Sequence, residues 1–504
     1  MKRLLIACLL LASALVQAQT LRMAGQGDMQ TLDPYSQNES MTNMLNAQVY
    51  EFLIGRDREL KLAPELAVSW TQVSPLLWRI KLRPGVKFHD GTPFNAEAVK
   101  VTFDRVTNPD NKLKRYNLYK NIAKTEALDA TTVRFTLKEP FSPFINTLAH
   151  PSGVIISPAA LAQYGNKGIA QHPVGTGPFK FVEWKATDYL KVEKFDGYWK
   201  KGFPKVDSIT WRPVVDNNTR AAVMQTNEAH FAFPVPPEAV ETLTKKPSLE
   251  VTASPSIIQR YLSMNTQQKP FDNVKVREAI NYAINKDALV KVAFSGYAIP
   301  AEGVLPQGVE YAAKLGPWPY NPAKARELLK EAGYPNGFES TLWSAYNYST
   351  AQKVIQFVQQ QLAQVGIKVQ VLALEAGQRV ERVESAQDPA TAPVRMYYVG
   401  WSSSTGEADW ALRPLLASES FPPRQFNTAY YKSEAVDQDI AKALVTTDKA
   451  EKMRLYTDAQ KQIWKDAPWA FLVTERLVSV RARNLAGFYT MPDGSFNFDE
   501  VELK

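Results

Sequence analysis

The chain has 504 residues, 45% hydrophobic and 22% charged, with 59 Lys and Arg, 51 Asp and Glu, four His and a single Cys. At about 150 residues per domain this length predicts two to four domains with sizeable cores. The basic surplus is spread along the chain without a run of five like charges, which argues against the concentrated face of a nucleic-acid binder.

The start, MKRLLIACLLLASALVQAQT, joins Lys2 and Arg3 to an apolar run from Leu4 to Val16 and a small-residue site at Val16-Gln17-Ala18. This pattern predicts a secretory signal peptide cleaved after Ala18. The run is too short to span a bilayer, and no later stretch approaches the roughly 18 uncharged apolar residues required. Leu5-Ile6-Ala7-Cys8 loosely resembles a lipobox but lies too close to Met1. Cleavage removes Lys2, Arg3 and the only cysteine, leaving 57 basic against 51 acidic residues. The mature chain is then expected to be soluble and exported, with no disulfide and no thiolate metal site.

Further along, Asp90-Gly91 in KFHDGTPF marks a turn, with His89 read as a surface or turn-stabilising residue. Thr132–Leu137 alternates with period two and reads as a strand. VGTGPF at 174–179 lacks the Lys-Ser/Thr of a phosphate loop and reads as a turn. Asp272–Val292 has the pattern of an amphipathic helical region. Asn321-Pro322 followed by AKARELLKEAG predicts a capped helix stopped by Gly333. Thr350–Val365 carries apolar residues at helical spacing, Gly366 ends it, and IKVQVLAL follows as a strand. Helices and strands are mixed throughout, so the fold class is α/β. No internal repeat, low-complexity tract or Gly/Ser linker interrupts it.

None of His89, His150, His172 and His230 has metal-ligand spacing, so neither a metal nor another cofactor is expected. Aromatic residues stand beside polar ones at Arg115-Tyr116-Asn117-Leu118-Tyr119, Arg260-Tyr261 and Tyr346-Asn347-Tyr348. Such clusters suit a pocket that stacks on a ligand and hydrogen-bonds it, and equally suit a core. GWSSSTGEADW at 400–410 gathers hydroxyls with no neighbouring base, so Ser402–Ser404 would need a distant His to act as nucleophiles. A secreted serine hydrolase is therefore the third of three readings.

LDP at 32–34, LAPELAVSW at 62–70 and LRPGVKFHDGTPFNAEAVKVTFDRV at 82–106 resemble the extracytoplasmic solute-binding proteins of family 5. PVGTGPFKFVEW, RPVVDNNTRAA, PFDNVKVREAINYAI and NPAKARELLKEAGYP extend the resemblance over the mature chain. Residues 111–127, 208–226, 316–322 and GWSSSTGEADWAL are similar to glutathione-binding members of that family. The resemblance implies a periplasmic, non-enzymatic, monomeric binder that delivers glutathione to the permease and ATPase subunits of an ABC importer. Dipeptides, oligopeptides or haem are the alternative solutes. The implied fold is bilobal, with three domains and a ligand cleft between the lobes. A central domain comprises 19–50, 175–271 and 472–504; a small domain is inserted at 51–174; residues 272–471 form the far lobe.

Position by position, the resemblance implies ligand contacts from Asn38, Glu39, Ser40, Met41, Arg115, Tyr116, Phe233, Arg260, Tyr261, Tyr346, Asn347, Trp401, Ser402, Ser403, Ser404 and Thr405. Peptide-binding relatives typically take the ligand's free amine on an Asp three residues after the cleft Trp, where this chain has Ser404. Glutathione carries an amine and a carboxylate on one carbon. An Asp attracting the first would repel the second by roughly 4 kcal/mol at 4 Å. Neutral hydroxyls at Ser402–Thr405 therefore suit it. Arg115 and Arg260 are the candidate carboxylate holders, each also readable as a salt bridge, and Arg220 reads as structural.

Overall fold

A computed structural model describes residues 19–37, 39–385 and 388–504. The expected leader, residues 1–18, and Asn38 lie outside the described residues. The fold is mixed α/β. The helix at Pro322–Glu331 starts where Asn321 accepts a hydrogen bond from the Lys324 N–H, with Pro322 supplying a preset first turn. Helix Ser349–Ala363 buries Val354, Phe357, Val358 and Leu362, then turns through Gly366 at φ 91° into strand Ile367–Ala373. The region from Asp272 to Val292 resolves into two helices, Val274–Ala283 and Lys286–Phe294. Asn285 breaks the run, since its side chain accepts from the Ala288 N–H and caps the second helix.

One large mixed sheet organises the molecule. Its order is Ile367–Ala373, Phe338–Ser344, Met396–Ser402, Leu249–Met264, Trp469–Ala482, Phe231–Phe233, Thr20–Gly25, Ser208–Pro213, Tyr189–Lys194 and Phe179–Lys185. The two longest strands, Leu249–Met264 and Trp469–Ala482, pair antiparallel from Leu249–Ala482 to Ser263–Trp469. They run through both halves of the sheet, and the second continues unbroken past residue 472. Their register shifts between Pro255, opposite Arg476, and Gln259, opposite Thr474. Ser256, Ile257 and Ile258 therefore stand against Glu475 alone, which bends and twists the pair there.

A separate antiparallel sheet is formed by Ala67–Ser74, Leu77–Leu82, Thr132–Leu137 and Ile122–Asp129. Helix Ala96–Thr107 covers it, with Phe103 edge-on to Phe135 at 5.1 Å. The buried side chains of this sheet merge with those of the first strands and with Leu485, Phe496, Phe498 and Val501 from the C-terminal segment. A second core gathers residues between Leu262 and Val473. VGTGPF is a close crossing: a Cβ on Gly177 would lie 2.7 Å from the Val49 carbonyl carbon. His89 is partly buried at this crossing. Its backbone N–H donates to the Gly175 carbonyl, and its ring Nε2 lies 2.9 Å from the Gly177 carbonyl oxygen.

Three carboxyl groups gather where the N-terminal third meets the C-terminal segment, Glu51 buried and Glu65 and Asp499 half-buried. Glu51 accepts from the Tyr198 hydroxyl (2.9 Å) and the Trp199 indole (2.8 Å), and Glu65 accepts from the Phe52 N–H. Burial, reinforced by Asp499, pushes Glu51 up to about 8. Burial also raises Glu65 and Asp499 above the ordinary carboxylate range.

Candidate ligand cleft

The register shift in the two long strands opens into a cleft of about 280 Å³, near the lower end of the size range for small-molecule sites. Helix Ser40–Asn46 contributes Ser40 and Met41, and strand Phe231–Phe233 ends in it with Phe233. Leu249–Met264 contributes Arg260, Met396–Ser402 contributes Trp401 and Ser402, and Tyr346 follows strand Phe338–Ser344. These seven expected residues are brought together. Alternation along strand Leu249–Met264 explains why Tyr261 is not among them, and Asn347 lies in the loop beyond strand Phe338–Ser344. Tyr261 points away from Arg260's side and stacks on Trp469 at 3.8 Å, only 2% exposed. Asn347 is exposed and donates to Glu375.

The remaining expected residues stand behind or beside the wall. Ser403 and Thr405 are buried, and Ser404 is partly buried in the turn that follows the strand, where its N–H donates to the Ser402 carbonyl. The Thr405 carbonyl accepts from Arg56. Glu39 sits beside helix Ser40–Asn46 and accepts from the Thr42 hydroxyl at 2.7 Å, and burial raises its carboxyl above the ordinary range. Arg115 is 3% exposed among Tyr119 and His150, outside the cleft wall, and burial lowers it to about 10. Tyr116 begins the short helix Tyr116–Tyr119 beside it, also off the wall.

Trp401 has a double attachment. One side faces the cleft, while its indole N–H donates to the Trp410 carbonyl at 2.7 Å and its ring meets Phe426 at 5.4 Å. Arg260 is fixed by a bidentate pair to Glu475 (2.7 and 3.1 Å) and lies 4.8 Å over the Tyr346 ring. Glu475 keeps this guanidinium well above its ordinary range despite burial. Gly400 makes room for it, since a Cβ there would lie 2.3 Å from Arg260 Nη1. The Gly400 N–H donates to the Tyr346 hydroxyl at 3.2 Å.

Several cleft residues were not anticipated from sequence. Arg220 does line it, but it is 1% exposed and donates to the carbonyls of Pro234, Val214 and Val215 and to Asn217. Arg476 is exposed in the cleft, and its guanidinium has no hydrogen bond or ion pair among the described residues. Asp493, 7% exposed, reaches it from the turn between Tyr489–Thr490 and Phe496–Asn497. The Ser402 hydroxyl is buried and has no partner among the described residues. None of the four histidines lines the cleft, so Ser402 has no imidazole base beside it.

The chain matches over residues 61–423 the family described as bacterial extracellular solute-binding proteins, family 5. It is 63% identical to glutathione-binding protein GsiB of Pectobacterium atrosepticum, over 94% of this chain and 92% of that one. It is 58% identical to glutathione-binding protein GsiB of Escherichia coli, over 99% and 97%. Among solved structures it superposes on the ABC transporter-associated periplasmic binding protein DppA of Helicobacter pylori, in complex with the peptide STSA. That match has a TM-score of 0.83, 30% identity and coverage of 96% and 98%. No helix among the described residues is long and apolar enough to cross a membrane.

Proposed function

The chain belongs to the bacterial extracellular solute-binding proteins of family 5, and from that premise we propose that it captures glutathione in the periplasm and hands it to an ABC importer. The reading rests on its near full-length identity to proteins named for glutathione binding. The cleft supports it: it is small, part aromatic and part polar, and carries side chains of both charges. Ser402 without a base beside it favours holding a solute over hydrolysing one. The protein acts as a non-enzymatic monomer, released by cleavage after Ala18, and depends on separate permease and ATPase subunits for transport.

Native mass spectrometry of the purified protein, followed by titration calorimetry with reduced glutathione, oxidised glutathione and a dipeptide panel, tests this. Saturable one-to-one binding of glutathione, with dipeptides much weaker, is expected. Tight dipeptide binding without glutathione binding would overturn the assignment in favour of peptides. Steady hydrolysis of glutathione by pure protein would overturn the binding-only reading.

A further inference from the structure

Resting on glutathione as the solute, we infer that Arg476 and Asp493 are the paired charges that hold its γ-glutamyl head, Arg476 taking the α-carboxylate and Asp493 the α-ammonium. Three arginines line the cleft, and two are already engaged. Arg260 is matched by Glu475, and Arg220 spends its donors on backbone carbonyls and Asn217. Arg476 is exposed there with its fork of donors unengaged among the described residues. A guanidinium in that state is suited to a bidentate carboxylate contact.

Asp493 is its complement. Ser495 fixes one carboxylate oxygen through its N–H (2.9 Å) and hydroxyl (2.6 Å), while the other has no hydrogen bond among the described residues. The carboxylate is thus oriented in advance and keeps an acceptor for an ammonium. The two residues come from adjoining segments. Arg476 is paired with Pro255, and two residues on, the Ile257 N–H donates to the Pro492 carbonyl at 2.9 Å. Leu477 is the side chain that approaches Gly494, 3.9 Å from the position of a Cβ.

Asp493 feels the charge of the buried Arg56 guanidinium but makes no direct ion pair among the described residues, and together with Arg476 on the neighbouring segment it matches a group bearing both charges on one carbon. In glutathione only the γ-glutamyl end does; the glycyl end has a carboxylate alone. Repulsion between an aspartate and the α-carboxylate, the objection to an acid in this pocket, is met by Arg476 at the same end. The unpartnered Ser402 hydroxyl supplies a neutral contact on the cleft wall.

Calorimetry with wild type, Arg476→Ala, Arg476→Lys and Asp493→Asn tests the assignment. The ligands are glutathione, 4-aminobutyryl-Cys-Gly, which lacks the α-carboxylate, and glutaryl-Cys-Gly, which lacks the α-amine. Arg476→Ala is expected to weaken glutathione by about 10- to 100-fold and to change 4-aminobutyryl-Cys-Gly by less than about twofold. Asp493→Asn, which keeps the acceptor for Ser495, should show the same selectivity with glutaryl-Cys-Gly. Arg476→Lys should recover part of the loss, as a point charge without the fork. Equal losses on all three ligands, or unchanged glutathione affinity in both Arg476→Ala and Asp493→Asn, would overturn the assignment while leaving glutathione as the solute. Failure of wild type to bind glutathione would overturn both.

Discussion

Glu51→Gln separates the acid cluster from every other titrating group in the molecule. In the folded chain burial raises Glu51 from 4.5 to about 8, so between those values the native state keeps a proton that the unfolded chain has released. A group raised in this way contributes stability that is complete below its unfolded value and is lost as pH climbs through its folded one. One proton of difference gives a slope of roughly 1.4 kcal/mol per pH unit. For the 504-residue chain the unfolding entropy is on the order of 1 kcal/mol per kelvin, so the slope is about 1.4 K per pH unit and about 5 K over the whole window. Glutamine keeps the oxygen that accepts from Tyr198 and Trp199 and cannot ionise. Circular-dichroism melts from pH 5 to 8.5 should therefore show variant and wild type close together in acid. The variant should melt about 5 K higher at the alkaline end. Parallel curves, or a variant that loses ground as pH rises, would show that Glu51 does not hold its proton and would refute the reasoning.

Glu475→Gln leaves Arg260 without its counter-charge, with side chains only 12% and 18% exposed. Thermal melts should report a loss of about 2–3 kcal/mol, and a smaller loss would show that water already shields the pair. Gly400→Ala drives a methyl into Arg260, so apo stability should fall by about 1–3 kcal/mol and glutathione affinity should fall with it in calorimetry. An unchanged melting temperature would mean that Arg260 moves aside freely. Trp401→Ala removes both cleft area and the contacts to Trp410 and Phe426. Stability should drop by about 3 kcal/mol alongside ligand affinity, and a loss of affinity alone would place the ring wholly in the cleft.

The parts of this molecule legible in sequence are those decided within a dozen residues. Asn321-Pro322 starts a helix by local capping, and Thr132–Leu137 alternates because one face meets Phe103. Trp401 and Ser402 could be placed because they lie on a strand that the family resemblance identifies. Period-two alternation already implied that Arg260 and Tyr261 could not both face a ligand, yet the resemblance carried both to the site. Arg476 and Asp493 were out of reach for a different reason. In a regular strand Glu475 and Arg476 would point to opposite faces. Both line the cleft, at the point where the partner strand slips register opposite them. That slip is set by a pairing partner more than two hundred residues away. The pairing of Arg260 with Glu475 is hidden in the same way, so the one arginine assigned from sequence that reaches the cleft arrives with its charge already answered.

Strand Trp469–Ala482 has a consequence for the order in which the molecule is assembled. It occupies an interior place in the sheet, between Leu249–Met264 and Phe231–Phe233, and its pairings with the former join residues 206 to 233 positions apart. Contacts that distant form late, because the intervening chain must be gathered before they stabilise anything. A nascent chain stopped before residue 469 carries two unpaired strand edges, the usual templates for wrong partners, with neither half of the sheet closed. Completion of both lobes is tied to a single late event. That delay keeps the polypeptide loose until nearly all of it has been made.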